Sequence, residues 1–114
     1  MAAQPVATLD EIPVGTAKQV FVDGEPVCLV RVDLTTVKAL HDTCSHQQFS
    51  LSEGWIGDGV VECALHGSGF DLTTGAPTSL PAVRPVPTYP VSVIEGSIHV
   101  DATAPTNGAP VPRH

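Results

Sequence analysis

Proline stands at positions 81, 85, 87 and 90. At those intervals each ring removes an N–H and clashes with the preceding turn, so the stretch can be only loop or edge strand. Elsewhere, short runs rich in β-branched residues alternate with turn signals. Val, Ile and Thr together number 31 of the 114 residues, a strand-forming bias. Residues 17–22 lead into Asp23-Gly24, a hairpin dipeptide, and then into 26–32. Residues 36–40, 60–62 and 91–94 read as further strands, and Glu95-Gly96 turns the chain into 97–100. No segment carries helical periodicity, and no internal repeat is visible. The pattern predicts an all-β domain, a small antiparallel β-sandwich or barrel.

The length suits one domain, expected over residues 1–100. Residues 101–114 hold Pro105, Asn107, Gly108, Pro110 and Pro112 with almost no apolar mass, and predict a flexible C-terminal tail. A net charge of −7 and a pI of about 4.9 argue against nucleic acid as a partner, because phosphates need clustered Lys and Arg. The same balance suits a basic protein surface. The first 20 residues show no basic segment followed by an apolar run, so no export signal is expected. No apolar run approaches membrane-spanning length, and no membrane partner is expected. Three cysteines make a poor disulfide framework, which points to a reducing cytoplasm.

Between Lys38 and Arg84 there is no basic residue, yet the span contains Asp42, Glu53, Asp58, Glu62 and Asp71. It also contains Cys44-Ser45-His46 and Cys63-Ala64-Leu65-His66, 16 residues apart. Each pair places a thiol and an imidazole on one tight loop. Two such loops face to face supply two sulfur and two nitrogen ligands, suited to zinc or to an iron–sulfur cluster. Structural zinc modules usually begin with a Cys-x2–4-Cys pair, which is absent here. Iron–sulfur chemistry does include a centre in which two His replace two Cys on one iron.

These residues resemble the Rieske [2Fe–2S] proteins, and among them the small ferredoxins of bacterial ring-hydroxylating oxygenase systems. The resemblance rests on the segment from Cys44 to Gly54, on Glu62 to Asp71 with Thr74-Gly75, and on the proline-containing stretch from Leu80 to Val91. It implies a β-sandwich bearing a small cluster-binding subdomain, with one Rieske-type [2Fe–2S] cluster. The family pattern puts Cys44 and Cys63 on one iron and His46 and His66 on the other. It also implies close backbone approach at Gly67 and Gly75, shielding by Pro81, and a hydroxyl donor to sulfide at Ser68. Members of respiratory complexes carry two further cysteines in a disulfide and often a Tyr near the cluster. Phe49, Leu65 and Phe70 stand at those places. Fewer donors to sulfur and an acidic surround both disfavour adding an electron, so the potential is expected in the lower part of the Rieske range, about −150 mV.

The function so implied is a soluble, monomeric one-electron carrier. It would take electrons from an NAD(P)H-dependent flavoprotein reductase and deliver them to a Rieske-type terminal oxygenase. Two alternatives keep the same ligands: a small subunit of a larger oxidoreductase, as in nitrite reductase or arsenite oxidase systems, and a structural zinc module. The terminal oxygenase itself is not expected, since only 48 residues follow His66. Cys28 reads as an inert buried thiol; His41, three residues before Cys44, reads as a group supporting the ligands or, the favoured reading, as an exposed side chain. His99 and His114 show no partners, and Trp55 reads as packing for the cluster loops. The glycines around Trp55 lack the Lys of a phosphate loop, and no Gly-x-Ser-x-Gly nucleophile context is present.

Overall fold

The run Val27-Cys28-Leu29-Val30 is apolar at every position, so a strand made from it needs cover on both faces. A computed structural model provides that cover. It describes residues 4–22, 24–43, 50–57, 59–63, 69–78, 85–102 and 105–109. Ten strands form among them: β1 (Gln4–Thr8), β2 (Ala17–Val22), β3 (Glu25–Arg31), β4 (Val37–His41), β5 (Trp55–Gly57), β6 (Val60–Glu62), β7 (Gly69–Asp71), β8 (Thr88–Tyr89), β9 (Val91–Ile94) and β10 (Ser97–Val100). Short 3-10 turns occupy Leu9–Glu11 and Leu51–Glu53.

All strand pairs are antiparallel and fall into three sheets. The orders are β1-β10-β9, β2-β3-β4-β8 and β5-β6-β7. The four-stranded sheet lies in the middle. Because side chains alternate along a strand, β3 sends Val27 and Leu29 to one face and Cys28 and Val30 to the other. The first face joins Val22, Ala39, Ile98 and Val100 in a core under the β1-β10-β9 sheet. The second joins Leu40, Leu51, Val61, Cys63, Phe70 and Val86 in a core under β5-β6-β7. The expected antiparallel sandwich with an added subdomain is thus built as two cores on opposite faces of one sheet.

Strands expected at 17–22, 60–62, 91–94 and 97–100 stand at those bounds, and the other two shift by one residue. Sequence pattern missed β1, β5, β7 and β8. Three of these hold only two or three residues, too short for alternation to register. β8 sits between Pro87 and Pro90 at the sheet's edge, where proline spacing permits a strand.

The C-terminal stretch behaves differently from the loose tail expected of it, over the part that is described. Asn107 Nδ2 donates to the carbonyls of Thr74 and Val86, each at 2.8 Å. Thr106 N donates to Thr88 O at 2.7 Å, and Ala109 is buried. A few side-chain and backbone bonds hold this segment where apolar mass is lacking. Residues 110–114 lie outside the described residues.

Candidate functional site

The two candidate ligand loops leave from neighbouring parts of the second core. β4 ends at His41, and Thr43 pairs with Ser50 as an isolated bridge, which brings the two ends of the first candidate segment together. Cys44 and His46 belong to that segment and lie outside the described residues. The second loop connects β6 to β7, whose last register pair is Glu62 with Gly69. Cys63 opens this connection and is buried at 1% exposure among Val61, Phe70, Leu72 and Val86. His66, Gly67 and Ser68 lie outside the described residues, as does Pro81. The described geometry therefore brings one candidate ligand, Cys63, to the foot of a hairpin beside the neck of the other loop.

That neck is held by an acid. Asp42 is 1% exposed. Its Oδ1 accepts from Ser52 N at 2.7 Å, and its Oδ2 accepts from Gln19 Nε2 at 2.7 Å and Ser52 Oγ at 3.2 Å. Its backbone bonds both ways, Asp42 N to Pro26 O at 2.9 Å and Leu51 N to Asp42 O at 2.6 Å. Buried polar groups persist only when paired in this way.

His41 corrects the sequence reading. It is buried, not exposed, because its position on β4 turns the ring into the protein beside Glu25. Thr43 N donates to His41 Nδ1 at 3.2 Å, which leaves the Nε2 hydrogen to donate to Glu25 Oε1 at 3.0 Å. Trp55 is a second correction: it is 63% exposed rather than packed under the loops. β5 is an edge strand, and Trp55 pairs with exposed Glu62 on the face turned away from Val61 and Phe70. Trp55, Ile56, Gly57, Val60 and Glu62 line a shallow groove there.

Cys28 fits its expected role. Burial, helped by the nearby negative charge of Asp42, pushes its thiol pKa well up, which keeps it protonated and unreactive. Phe70 is fully buried and fills the core beneath the second hairpin. Gly75 has φ +74°, and a Cβ there would overlap the Val86 carbonyl and sit 2.6 Å from Asn107 Nδ2. The close approach at Gly75 is thus to the 86–107 region. The acids between Lys38 and Arg84 do not form one solvated face. Glu53 and Glu62 are exposed, whereas Asp42 is buried and Asp71 caps a turn by accepting from Thr73 N and Thr74 N.

The donor chemistry, two thiols and two imidazoles with one thiol already in apolar surroundings, fits a cluster of mixed ligation. Asp42, Gln19, Ser52 and Asn107 were missed as structural partners, since nothing in a single sequence marks which acid or amide will be buried.

Comparison with known proteins gives a consistent answer. The family description "Rieske [2Fe-2S] domain" matches residues 2–90. The 3-phenylpropionate/cinnamic acid dioxygenase ferredoxin subunit of Photorhabdus laumondii is 41% identical over 96 residues, covering 83% of this chain and 90% of that protein. Among solved structures, the ferredoxin of carbazole 1,9a-dioxygenase from Nocardioides aromaticivorans superposes with a TM-score of 0.85 at 39% identity, covering 89% of this chain and 98% of that one. A ferredoxin solved in complex with the oxygenase of carbazole 1,9a-dioxygenase gives a TM-score of 0.82 at 32% identity, covering 96% and 97%.

Proposed function

The chain belongs to the Rieske [2Fe–2S] domain family, and on that premise we propose that Cys44, His46, Cys63 and His66 hold its cluster. We propose further that it passes single electrons from an NAD(P)H-dependent flavoprotein reductase to a Rieske-type terminal oxygenase. When bound, the cluster supplies one-electron oxidation and reduction without bond chemistry at the protein. The chain is then a carrier, and the oxygenase does the catalysis.

The observation that carries this reading is the donor set, with Cys63 buried at the foot of one hairpin and the two ends of the other candidate segment brought together at Thr43 and Ser50 beside it. The residues around it have two tasks. Val61, Phe70, Leu72 and Val86 exclude water from the Cys63 side. Asp42, Ser50 and Ser52 hold the neck of the first loop, so little rearranges when the charge changes. A net charge of −7 favours rapid, reversible encounter with a basic patch on either partner. Small electron-transfer contacts of this kind sit at the low end of interface size. Relatives serving phenylpropionate and carbazole oxygenases share this frame, so the aromatic substrate is a property of the oxygenase. The protein so read is a cytoplasmic monomer.

The test is visible absorption and EPR on purified protein, oxidised and dithionite-reduced, with iron and zinc quantified. Two irons per chain and a rhombic reduced signal with average g below that of all-thiolate clusters are expected. A colourless protein with one zinc would overturn the electron-transfer reading.

A further inference from the structure

We propose that the outer face of β5 and β6 is a docking site for an arginine side chain of the terminal oxygenase, stacked on the Trp55 ring and laid in the trough beside it. The inference rests on the function read above and deepens it by naming a contact. Trp55 and Gly57 are two apart on β5 and share a face, and Glu62 and Val60 stand opposite them on β6. Ile56 and Val61 alternate with them and pack on the second core. Trp55 is 63% exposed and forms one wall of the shallow groove, with Val60 diagonally across from it.

Gly57 floors that trough, and nothing local requires glycine there. Its φ lies outside the left-handed region, and a Cβ built on it meets nothing within 4 Å. Any β-branched residue would favour the strand more, so the missing side chain costs stability without relieving a clash. A glycine of this kind in a strand marks a place where another chain approaches closely. The exposed indole and the open floor are independent features, and they coincide on one face.

Charge selects the occupant. The sequence from 39 to 83 holds five acids and no Lys or Arg. Glu53 and Glu62 are exposed, and Asp71 stands opposite Val60 on β7. The sign comes from the run as a whole and not from one carboxyl, and its complement is a basic surface. Among cationic side chains, arginine lays a planar guanidinium on an aromatic face, and indole is the ring that attracts a cation most. The apolar stem of that arginine then covers Gly57 and Val60. Cys63 follows β6 directly, so a protein seated here is one that approaches the proposed centre. Of the two redox partners, the oxygenase is assigned because a similar ferredoxin is solved in complex with one.

Hexa-arginine and hexalysine peptides, titrated calorimetrically into the full chain, are the first probes. Hexa-arginine should bind roughly fivefold tighter than hexalysine. Trp55→Phe should keep most of that preference, whereas Trp55→Leu and Gly57→Val should each cut it to within about twofold. Gly57→Val should unfold at or above the parental temperature, so its effect is read on a folded protein. Equal affinity for the two peptides overturns the proposal, as does the parental preference in Trp55→Leu. Loss in Gly57→Val alone overturns the arginine in favour of an apolar occupant. A parent dimer in sedimentation that Gly57→Val abolishes overturns it in favour of a second copy. The second probe is the oxygenase component of carbazole 1,9a-dioxygenase, below saturation, with dithionite-reduced protein as the donor. Trp55→Leu should slow electron transfer to it about fivefold. Equal rates for parent and variant overturn the assignment to the oxygenase. The peptide titrations do not depend on iron, so the ligand reading fails separately, by the EPR and metal content of the unmutated protein.

Discussion

In the β1-β10-β9 sheet and in β2, β3 and β4 of the middle sheet, strands of four to seven residues pair over long registers, six consecutive pairs in the case of β2 and β3. On the opposite face of that same middle sheet, β5, β6 and β7 hold three residues each. There the backbone ladder is too short to define the loops it carries. Side chains take over: Asp42 at the first neck, Asp71 in the turn after β7, and Asn107 reaching across from the C-terminal stretch. The difference teaches how the domain divides its labour. Repetitive ladder bonds and an apolar core supply stability on one face, and individually placed polar groups supply geometry on the other.

The widest consequence is at Cys63. Cys63→Ala should lose all bound iron while the far-UV circular dichroism of the strands persists. Retained iron would remove Cys63 from the ligand set, and global loss of structure would mean the two faces fold as one unit. Leu29→Ala, in the core under β1-β10-β9, should cost about 2–5 kcal/mol of stability by thermal unfolding and leave the visible spectrum as it was. A changed spectrum would show that the two cores are mechanically coupled through β3. Asn107→Ala should cost about 1–3 kcal/mol, because the Thr74 and Val86 carbonyls lose their donor. A neutral result there would return residues 105–109 to the status of a loose tail.

Smaller effects sharpen the picture. Raising ionic strength should slow reductase-coupled reduction severalfold, since the encounter depends on exposed acids such as Glu53 and Glu62. A rate indifferent to salt would take electrostatic docking out of the account. The least is a pH effect. The Thr74 and Thr73 amides hold the Asp71 carboxyl below its usual range, and the Thr35 and Thr36 amides do the same for Asp33. Carboxyls lowered in the folded state stabilise it above the unfolded value, and that stabilisation is lost as pH falls through the folded one. Urea midpoints should therefore be flat near neutrality and dip only below about pH 4. Both acids are near the surface, so the dip should be shallow.

What the sequence discloses follows the same division. β2, β9 and β10 were legible because alternation and the Asp23-Gly24 and Glu95-Gly96 turns agree at each end. The candidate ligands stand out in the sequence because thiol and imidazole at tight spacing are chemically distinctive, and of the four the described residues include Cys63. The supports do not. Asp42 and Glu53 are both acids in one run, and only the fold buries the first and exposes the second. His41 read as exposed because a lone histidine gives no sign of the Glu25 it meets across two strands. Trp55 read as packing because burial is the usual fate of a large ring. Its edge strand turns it outward instead.

Trp55 is the chain's single tryptophan. Its exposure, directly across from the residue preceding Cys63, turns an accident of strand parity into an optical reporter. Intrinsic emission under selective excitation originates from one indole on the sheet that carries the second loop. That emission is expected at the wavelength of a water-exposed ring, and a coloured centre held at Cys63, as proposed, would quench it. Loss of such a centre would then brighten the protein, and a partner covering that sheet would shift the colour to the blue. Assembly, decay and docking can then each be followed on unlabelled protein in real time.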